Sequence, residues 1–378
     1  MSKRWLKLSS ALMAVLLAAA CGTGGGEESA DGGGSSGDQG GGQDVVKAAW
    51  VYPSPRNDGG WSTAHDLGRE AVEKEFGDKV ETTFIESVSE EPAAATRAIE
   101  GLARKGYDII FTASFGFMDP TLEVAKKYPD IYFEHCSGFK TAENMSNYFG
   151  AMEEAKYLSG IAAADHTKNG LMGKVVSFPI PEIVRLTNAF LLGAQSVNPE
   201  IRMKVLFTNS FFDPPAEKSA AESLIDAGAD VLTQDVDSPA TGQVAQPAGA
   251  KWVGYNSDAS KFAPKAWITA PIWNWEVYYV DRIQAVMDGT WESQSYYGDL
   301  SDGIVGLAPF GKSVAQSTID KVEKAEQQII NDELEVFEGP IRNQAGEVVV
   351  PEGEVPPLED LLSMDYFVEG MEGKLPAS

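Results

Sequence analysis

Seven short segments hold the residues best suited to gripping a flat molecule: "NDGGW" (57–61), "SFGFMD" (114–119), "SFPIPE" (177–182), "NSFFDP" (209–214), "DVDSP" (235–239), "YNSD" (255–258) and "APIWNW" (270–275). Several set an aromatic ring, a carboxylate or a carboxamide beside glycine or proline. Ring faces stack on planar ligands, while carboxylates and carboxamides hydrogen-bond to their edges. One aromatic in a loop means little, but recurrence across such loops points to a stacking pocket. Gly59 and Gly60 let the chain turn tightly and leave the Trp61 indole open. That ring suits either ligand stacking or packing between lobes. A hydrophobic staple does not account for it, because with a helix from Ser62 its partner is the polar Asp66.

Other chemistries find little support. His65, His135 and His166 are far apart, and no HxxxH or CxxC spacing occurs, so neither a metal site nor a cofactor is expected. Cys136 closes the apolar run in "FEHCSG" and reads as a buried, inert thiol.

The elements that must position these segments alternate along the chain. "KAAWVY" reads as a strand, and a helix follows from Ser62 to Phe76 with Ala64, Leu67, Gly68, Ala71 and Val72 on one face. "VETTFIE", "DIIFTAS" and "IYFEHCS" continue as strands, separated by the helices "PAAATRAIEGLARKG" and "PTLEVAKKYP". A second series runs through "GKVVSFPI", "RMKVLFTNS", "VLTQDVD" and "KWVGYNS", again with helices between. Two runs of strand–helix units predict an α/β protein with two doubly wound parallel sheets. Ligands of such sheets bind outside the carboxyl ends of the strands, where the seven segments lie. Near the C-terminus, "GPIRNQAGEVVVPEG" reads as a hairpin and "LEDLLSMDYFVEGM" as a short helix and extended end packed on one lobe.

At the N-terminus, Lys3, Arg4 and Lys7 precede an apolar run from Ala11 to Leu17, then small residues lead to Cys21. This is the layout of an export signal, with a run too short to span a bilayer. "LAAAC" resembles a bacterial lipoprotein processing site, which implies lipidation at Cys21 and a lipid-anchored, extracytoplasmic protein at the cell membrane. Leu17 stands one position further from the cysteine than the usual pattern has it. Residues 22–44 carry no apolar side chain larger than alanine and read as a disordered Gly/Ser tether spanning roughly 25–30 Å. About 330 residues follow, a length for two lobes rather than one domain. The net charge of −26 argues against nucleic acid as a partner, since that affinity comes largely from phosphate neutralisation.

With these features together, the chain resembles the solute-binding lipoproteins of ABC importers. It is most similar to the basic-membrane-protein family of the purine nucleoside receptor type. The marks are "NDGGWSTAHDLGREAVE", "YDIIFTASFGFMDPTLEVAKKYPDIYFEHCSG", "GKVVSFPIPEIVRLTNAFLLGAQSVNP" and "AGADVLTQDVDSP", and the likeness covers nearly all of 44–378. The resemblance implies a type I periplasmic-binding-protein fold, two parallel-sheet lobes joined by a hinge, binding a purine without chemistry and handing it to ABC permease subunits. It puts Asp58 and Trp61 at the family's aspartate and base-stacking positions, and Ser114 with Phe115 after the third strand. The second-lobe aromatic maps to Phe178, Phe211 or Phe212. Where nucleoside receptors carry an aspartate for the ribose hydroxyls, this chain has Asn256; where they carry a lysine, it offers Trp273. Losing that charge pair favours a free base such as adenine or hypoxanthine over a nucleoside.

Within that reading, Asp237 would accept purine N–H groups or cap a helix, Asn256 would pair with a purine edge, and Phe178 would stack or fill the core. Glu182 reads as a complement to a helix dipole. Trp273 and Trp275, two apart, face the same side. The expected lobes are 45–150 with about 272–306, and 151–271 with about 307–378. A signalling receptor without transport, or an exported nucleoside-cleaving enzyme using the acids of "DVDSPATG", are the alternatives.

Overall fold

The chain enters its first sheet through β1 (Val46–Val51), a central strand whose residues are buried except for Lys47. The computed structural model describes residues 45–375. The expected export signal, tether and lipidated Cys21 lie outside them. Helix α1 (Trp61–Phe76) leads to β2 (Val80–Ile85), α2 (Pro92–Ala103) to β3 (Ile109–Thr112), and α3 (Met118–Lys127) to β4 (Tyr132–Cys136), followed by β5 (Met145–Gly150). All five strands run parallel. Strands buried on both faces have little use for polar alternation, which is why "DIIFTAS" reads as a continuous apolar run.

From β5 the chain passes at once into α4 (Met152–Ala164) and builds a second parallel sheet. Its units are β6 (Leu171–Val176), α5 (Pro181–Val197), β7 (Arg202–Phe207), α6 (Pro214–Asp226), β8 (Val231–Asp235), α7 (Ala240–Ala248) and β9 (Lys251–Val253). The chain then returns through β10 (Pro271–Trp273), α8 (Glu276–Asp288) and β11 (Ser295–Gly298), and leaves again by β12 (Val305–Leu307) and α9 (Gln316–Ile330). β10 and β12 pair antiparallel, and β11 joins the first sheet beside β5. The hairpin of β13 (Ile341–Arg342) and β14 (Val348–Val350) precedes α10 (Leu358–Leu362) and β15 (Met371–Glu372), which pairs with β7. The sheet orders are therefore β11-β5-β4-β3-β1-β2 and β15-β7-β6-β8-β9. Two doubly wound parallel sheets are present as expected, and the C-terminal hairpin and short helix stand where the sequence placed them.

Two local expectations need correction. Helix α1 begins at Trp61 rather than Ser62, so the indole belongs to the first turn. Of the face proposed, Ala64, Gly68 and Val72 are buried, but polar residues share the buried side with them. Leu67 is 54% exposed, whereas Ser62, His65, Asp66 and Arg69 are buried. The reason is hydrogen bonding: Arg69 Nε donates to Asp66 at 2.6 Å, and Nη1 donates to Glu73 at 2.6 Å and to Thr82 at 2.9 Å. Buried polar groups are tolerated when paired in this way.

A buried acid ties the returning segment to the first sheet. Glu134 on β4 accepts from Arg282 Nε (2.6 Å), Trp291 Nε1 (2.7 Å) and the Tyr278 hydroxyl (2.6 Å). Helices α4 and α5 approach so closely that a Cβ on Gly160 would stand 2.1 Å from the Phe190 carbonyl oxygen, and one on Gly193 2.0 Å from that of Tyr157. Gly160→Ala and Gly193→Ala are each expected to cost on the order of 1–3 kcal/mol through overpacking. Calorimetric melting would show this as a lower Tm; an unchanged Tm would mean that the helices do not touch there.

Candidate ligand-binding site

The loop after β1 is organised by one carboxylate. Asp58 Oδ1 accepts from Gly60 N (2.8 Å), Thr63 N (3.0 Å) and Thr63 Oγ1 (2.9 Å), while Oδ2 accepts from Ser62 N (3.0 Å) and Ser54 Oγ (2.7 Å). These bonds satisfy the free amides of the first turn of α1, as a capping side chain does. They also fix the residue at the start of that turn, Trp61. Its indole Nε1 donates to the Ala113 carbonyl at the end of β3 (2.6 Å), which sets the ring's orientation.

Behind Trp61 stands a three-ring stack. Trp273 lies on Trp275 (4.4 Å between centroids, 9° between planes), and Trp275 lies on His65 (4.6 Å, 7°). Trp61 is nearly perpendicular to all three, at 88°, 83° and 77° respectively, and packs against the side of the stack. It remains partly exposed. Burial holds the His65 imidazole well below its ordinary pKa, so the ring is neutral. Its Nδ1 meets the Tyr279 hydroxyl, which in turn meets Tyr148 at 3.0 Å. Trp273 and Trp275 do share a side, although Trp275 is the residue before α8 rather than part of a strand.

The ends of the second sheet meet this platform. Asn256 sits in the left-handed region (φ 68°), which asparagine tolerates better than most residues. Its Nδ2 donates to Asp237 Oδ1 (3.0 Å), and its Oδ1 accepts from Trp273 Nε1 (3.2 Å). Asp237 also receives the Trp61 backbone amide. Burial, with Asp58 and Glu217 adding negative charge, pushes the Asp237 carboxyl well above the usual range. Asp237 is not a helix cap: α7 starts after Pro239 and carries no side-chain cap. Ser257 Oγ donates to the Gly59 carbonyl (2.9 Å), so the two sheets touch through this loop. A Cβ on Gly60 would lie 2.4 Å from the Asp237 carbonyl oxygen.

Trp61, Asp237, Asn256 and Trp273 are thus brought together, with Asp58 beneath them. The remaining candidates stand apart from this chain of contacts. Ser114 hydrogen-bonds to Glu90, and Phe115 beside it is 56% exposed. Phe178 packs edge-on against Phe211 (5.1 Å, 62°), and Phe212 is partly buried in the loop before α6. Sequence reasoning missed His65, Phe149 and Ser257. His65 was legible only as its spacing of four from Trp61 on one helix; Phe149, 4.9 Å from Trp273, had no signal beyond its strand. It also missed Lys156 and Lys174, both fully buried, which pair with Asp235 at the end of β8. Lys156 Nζ lies 3.5 Å from the centre of the Tyr255 ring.

Residues 45–338 match the family described as "ABC transporter substrate-binding protein PnrA-like". The chain belongs to this family. A protein of Brucella abortus (strain 2308) named as purine-binding is 45% identical over 334 residues, 88% of this chain and 95% of that one. A Haloferax volcanii protein named for glucose binding in an ABC transporter is 41% identical over 335 residues, covering 88% and 82%. Among solved structures, a solute-binding protein from Conexibacter woesei superposes with a TM-score of 0.67 at 20% identity, over 77% of this chain and 98% of that one, and supports the fold. Family and relatives are solute-binding proteins, not enzymes.

The Gly60–Asp237 contact gives a ligand-independent test. Gly60→Ala is expected to hold the two sheets apart. Small-angle X-ray scattering should then give a larger radius of gyration than wild type, with the circular dichroism spectrum unchanged. Identical radii would mean the loop does not seat on Asp237 in solution.

Proposed function

We propose that this protein captures a purine between its two sheets, a free base such as adenine or hypoxanthine before a nucleoside, and delivers it to ABC permease subunits. The observation that carries this reading is Trp61: an indole locked by Ala113 and by the three-ring stack, partly exposed at the carboxyl ends of both sheets. A ring held so firmly loses little entropy when a flat heterocycle stacks on it. The chain passages at β5–α4, β10 and β12 serve as the hinge, and closing over a ring excludes water from its polar contacts.

Preference for a base follows from Asn256 and Trp273. In nucleoside receptors the corresponding positions hold a sugar by charge. Here both Asn256 side-chain atoms are engaged by Asp237 and Trp273. The 45% identical relative named for purine binding supports a purine as the ligand. The relative named for glucose favours a second reading, because aromatic platforms also pack against sugar rings. We further propose that Cys21 carries the lipid anchor; no helix among the described residues is long and apolar enough to cross a membrane.

Isothermal titration calorimetry with adenine, hypoxanthine, adenosine, guanosine and glucose separates these readings. A base should bind most tightly, and Trp61→Ala should weaken it by about 1–3 kcal/mol. Tighter binding of guanosine, adenosine or glucose than of any base would refute the base assignment. Cys21→Ser is expected to shift the protein from the membrane pellet to the soluble fraction; retention in the pellet would exclude an anchor at Cys21.

A further inference from the structure

Trp61 is fixed by the first sheet and the returning segment. Asp237 and Asn256, which meet it from the second sheet, are set by groups behind them. Gln234 of β8 is buried, and its Nε2 donates to the carbonyls of Val236 and Ser238, both at 2.8 Å, on either side of Asp237. Its Oε1 accepts from Trp252 Nε1 of β9 (2.9 Å). The turn that carries Asp237 is therefore wound round one carboxamide.

A single ammonium lies behind this turn and behind Asn256. Only Ala151 separates β5 from α4, so Lys156, in the second turn of α4, stands beside the first passage between the sheets. It is fully buried. Its Nζ donates to the Gln234 carbonyl at 3.0 Å, pairs with Asp235, and lies 3.5 Å from the centre of the Tyr255 ring. Gln234 and Asp235 lead directly into the Asp237 turn, and Tyr255 immediately precedes Asn256.

Neutralising Asp235 does not require Lys156. Lys174 of β6 reaches the other Asp235 oxygen at 2.6 Å, and Thr187 of α5 donates to that oxygen at 3.3 Å. Lys156 brings a second buried cation to one carboxylate, and an ammonium is costly to take out of water. Burial pulls it down to about 7, although Asp235 opposes the fall. What this costly group supplies is reach: from one helix it bonds to both segments that carry the second sheet's ligand groups.

We propose that Lys156 is a positioning residue of the binding site, holding the Gln234–Asp237 and Tyr255–Asn256 segments from α4 so that Asp237 and Asn256 stand in register opposite Trp61. The inference rests on the reading that the ligand binds at this platform, and does not depend on which ring it is.

Lys156→Met is the test, because methionine fills similar space without charge and leaves Asp235 paired with Lys174. Calorimetry at pH 6, where the ammonium is intact, uses adenine, hypoxanthine, adenosine, guanosine and glucose. The compound that wild type binds best should bind the variant about tenfold more weakly, as when a hydrogen-bonding pair in a site is misplaced. The melting temperature without ligand should stay within about 3 °C of wild type, since exchanging a buried ion for an apolar side chain is often neutral. Lys174→Met removes the other cation and leaves the Gln234 and Tyr255 contacts of Lys156 in place; it should bind like wild type.

Nitrogen-15 labelling of the tryptophans adds a readout that general destabilisation would not give. The Trp273 indole N–H, bonded to Asn256, should shift in Lys156→Met, while that of Trp61, bonded to Ala113, should not. Should Lys156→Met fail to fold, Tyr255→Leu replaces it: about a threefold loss, most of it recovered in Tyr255→Phe, which keeps the ring face for the cation. Wild-type affinity in Lys156→Met, equal losses in both lysine variants, an unmoved Trp273 signal, or Tyr255→Phe as weak as Tyr255→Leu overturns the proposal. If wild type binds none of the five compounds, the functional reading fails and the Trp273 signal decides this inference by itself.

Discussion

The site depends on the immobilisation of one indole. Trp61 is partly exposed in the first turn of α1, directly after two glycines, where a large apolar ring would ordinarily be free to collapse. It does not, because three constraints act on it at once: Asp58 winds the loop into the first turn of α1, Ala113 accepts the indole N–H, and the Trp273–Trp275–His65 stack supports its flank. Each constraint comes from a different part of the chain, so the platform exists only when the first sheet and the returning segment have assembled. The Glu134 clamp on α8 and Trp291 therefore belongs to the site, although it lies far from it in sequence.

Electrostatics follow from the same enclosure. Bringing the loop of the first sheet onto the second puts Asp58 near Asp237, with Glu217 nearby, and seats the Trp61 amide on Asp237. Acidic groups crowded into a low-dielectric gap hold protons or find donors. Asp237 is served by Asn256 and the Trp61 amide, and Asp235 by two buried lysines. A chain of net charge −26 thus sets two of its lysines on a single internal acid.

Much of the fold was legible because parallel strands buried on both faces must be continuously apolar, and alternation with helices forces crossover connections. The platform was legible in part. Trp61 and Trp273 stood out because tryptophan has no local reason to sit at strand ends. The His65 layer did not, since a histidine on a mixed helix face carries no sign of what will stack on it. Asp58 and Asn256 were read as ligand groups because sequence shows a side chain's chemistry but not its partners; their hydrogen bonds to Ser62, Thr63, Asp237 and Trp273 are set by tertiary contact. The helix-dipole reading of Glu182 agrees with its place in the first turn of α5.

A crystal structure of the protein grown with adenine tests the account most directly. The account predicts the heterocycle lying parallel to Trp61 at van der Waals separation, about 3.5–4 Å. Adenine lodged elsewhere, with the Trp61 ring covered only by protein, would contradict it.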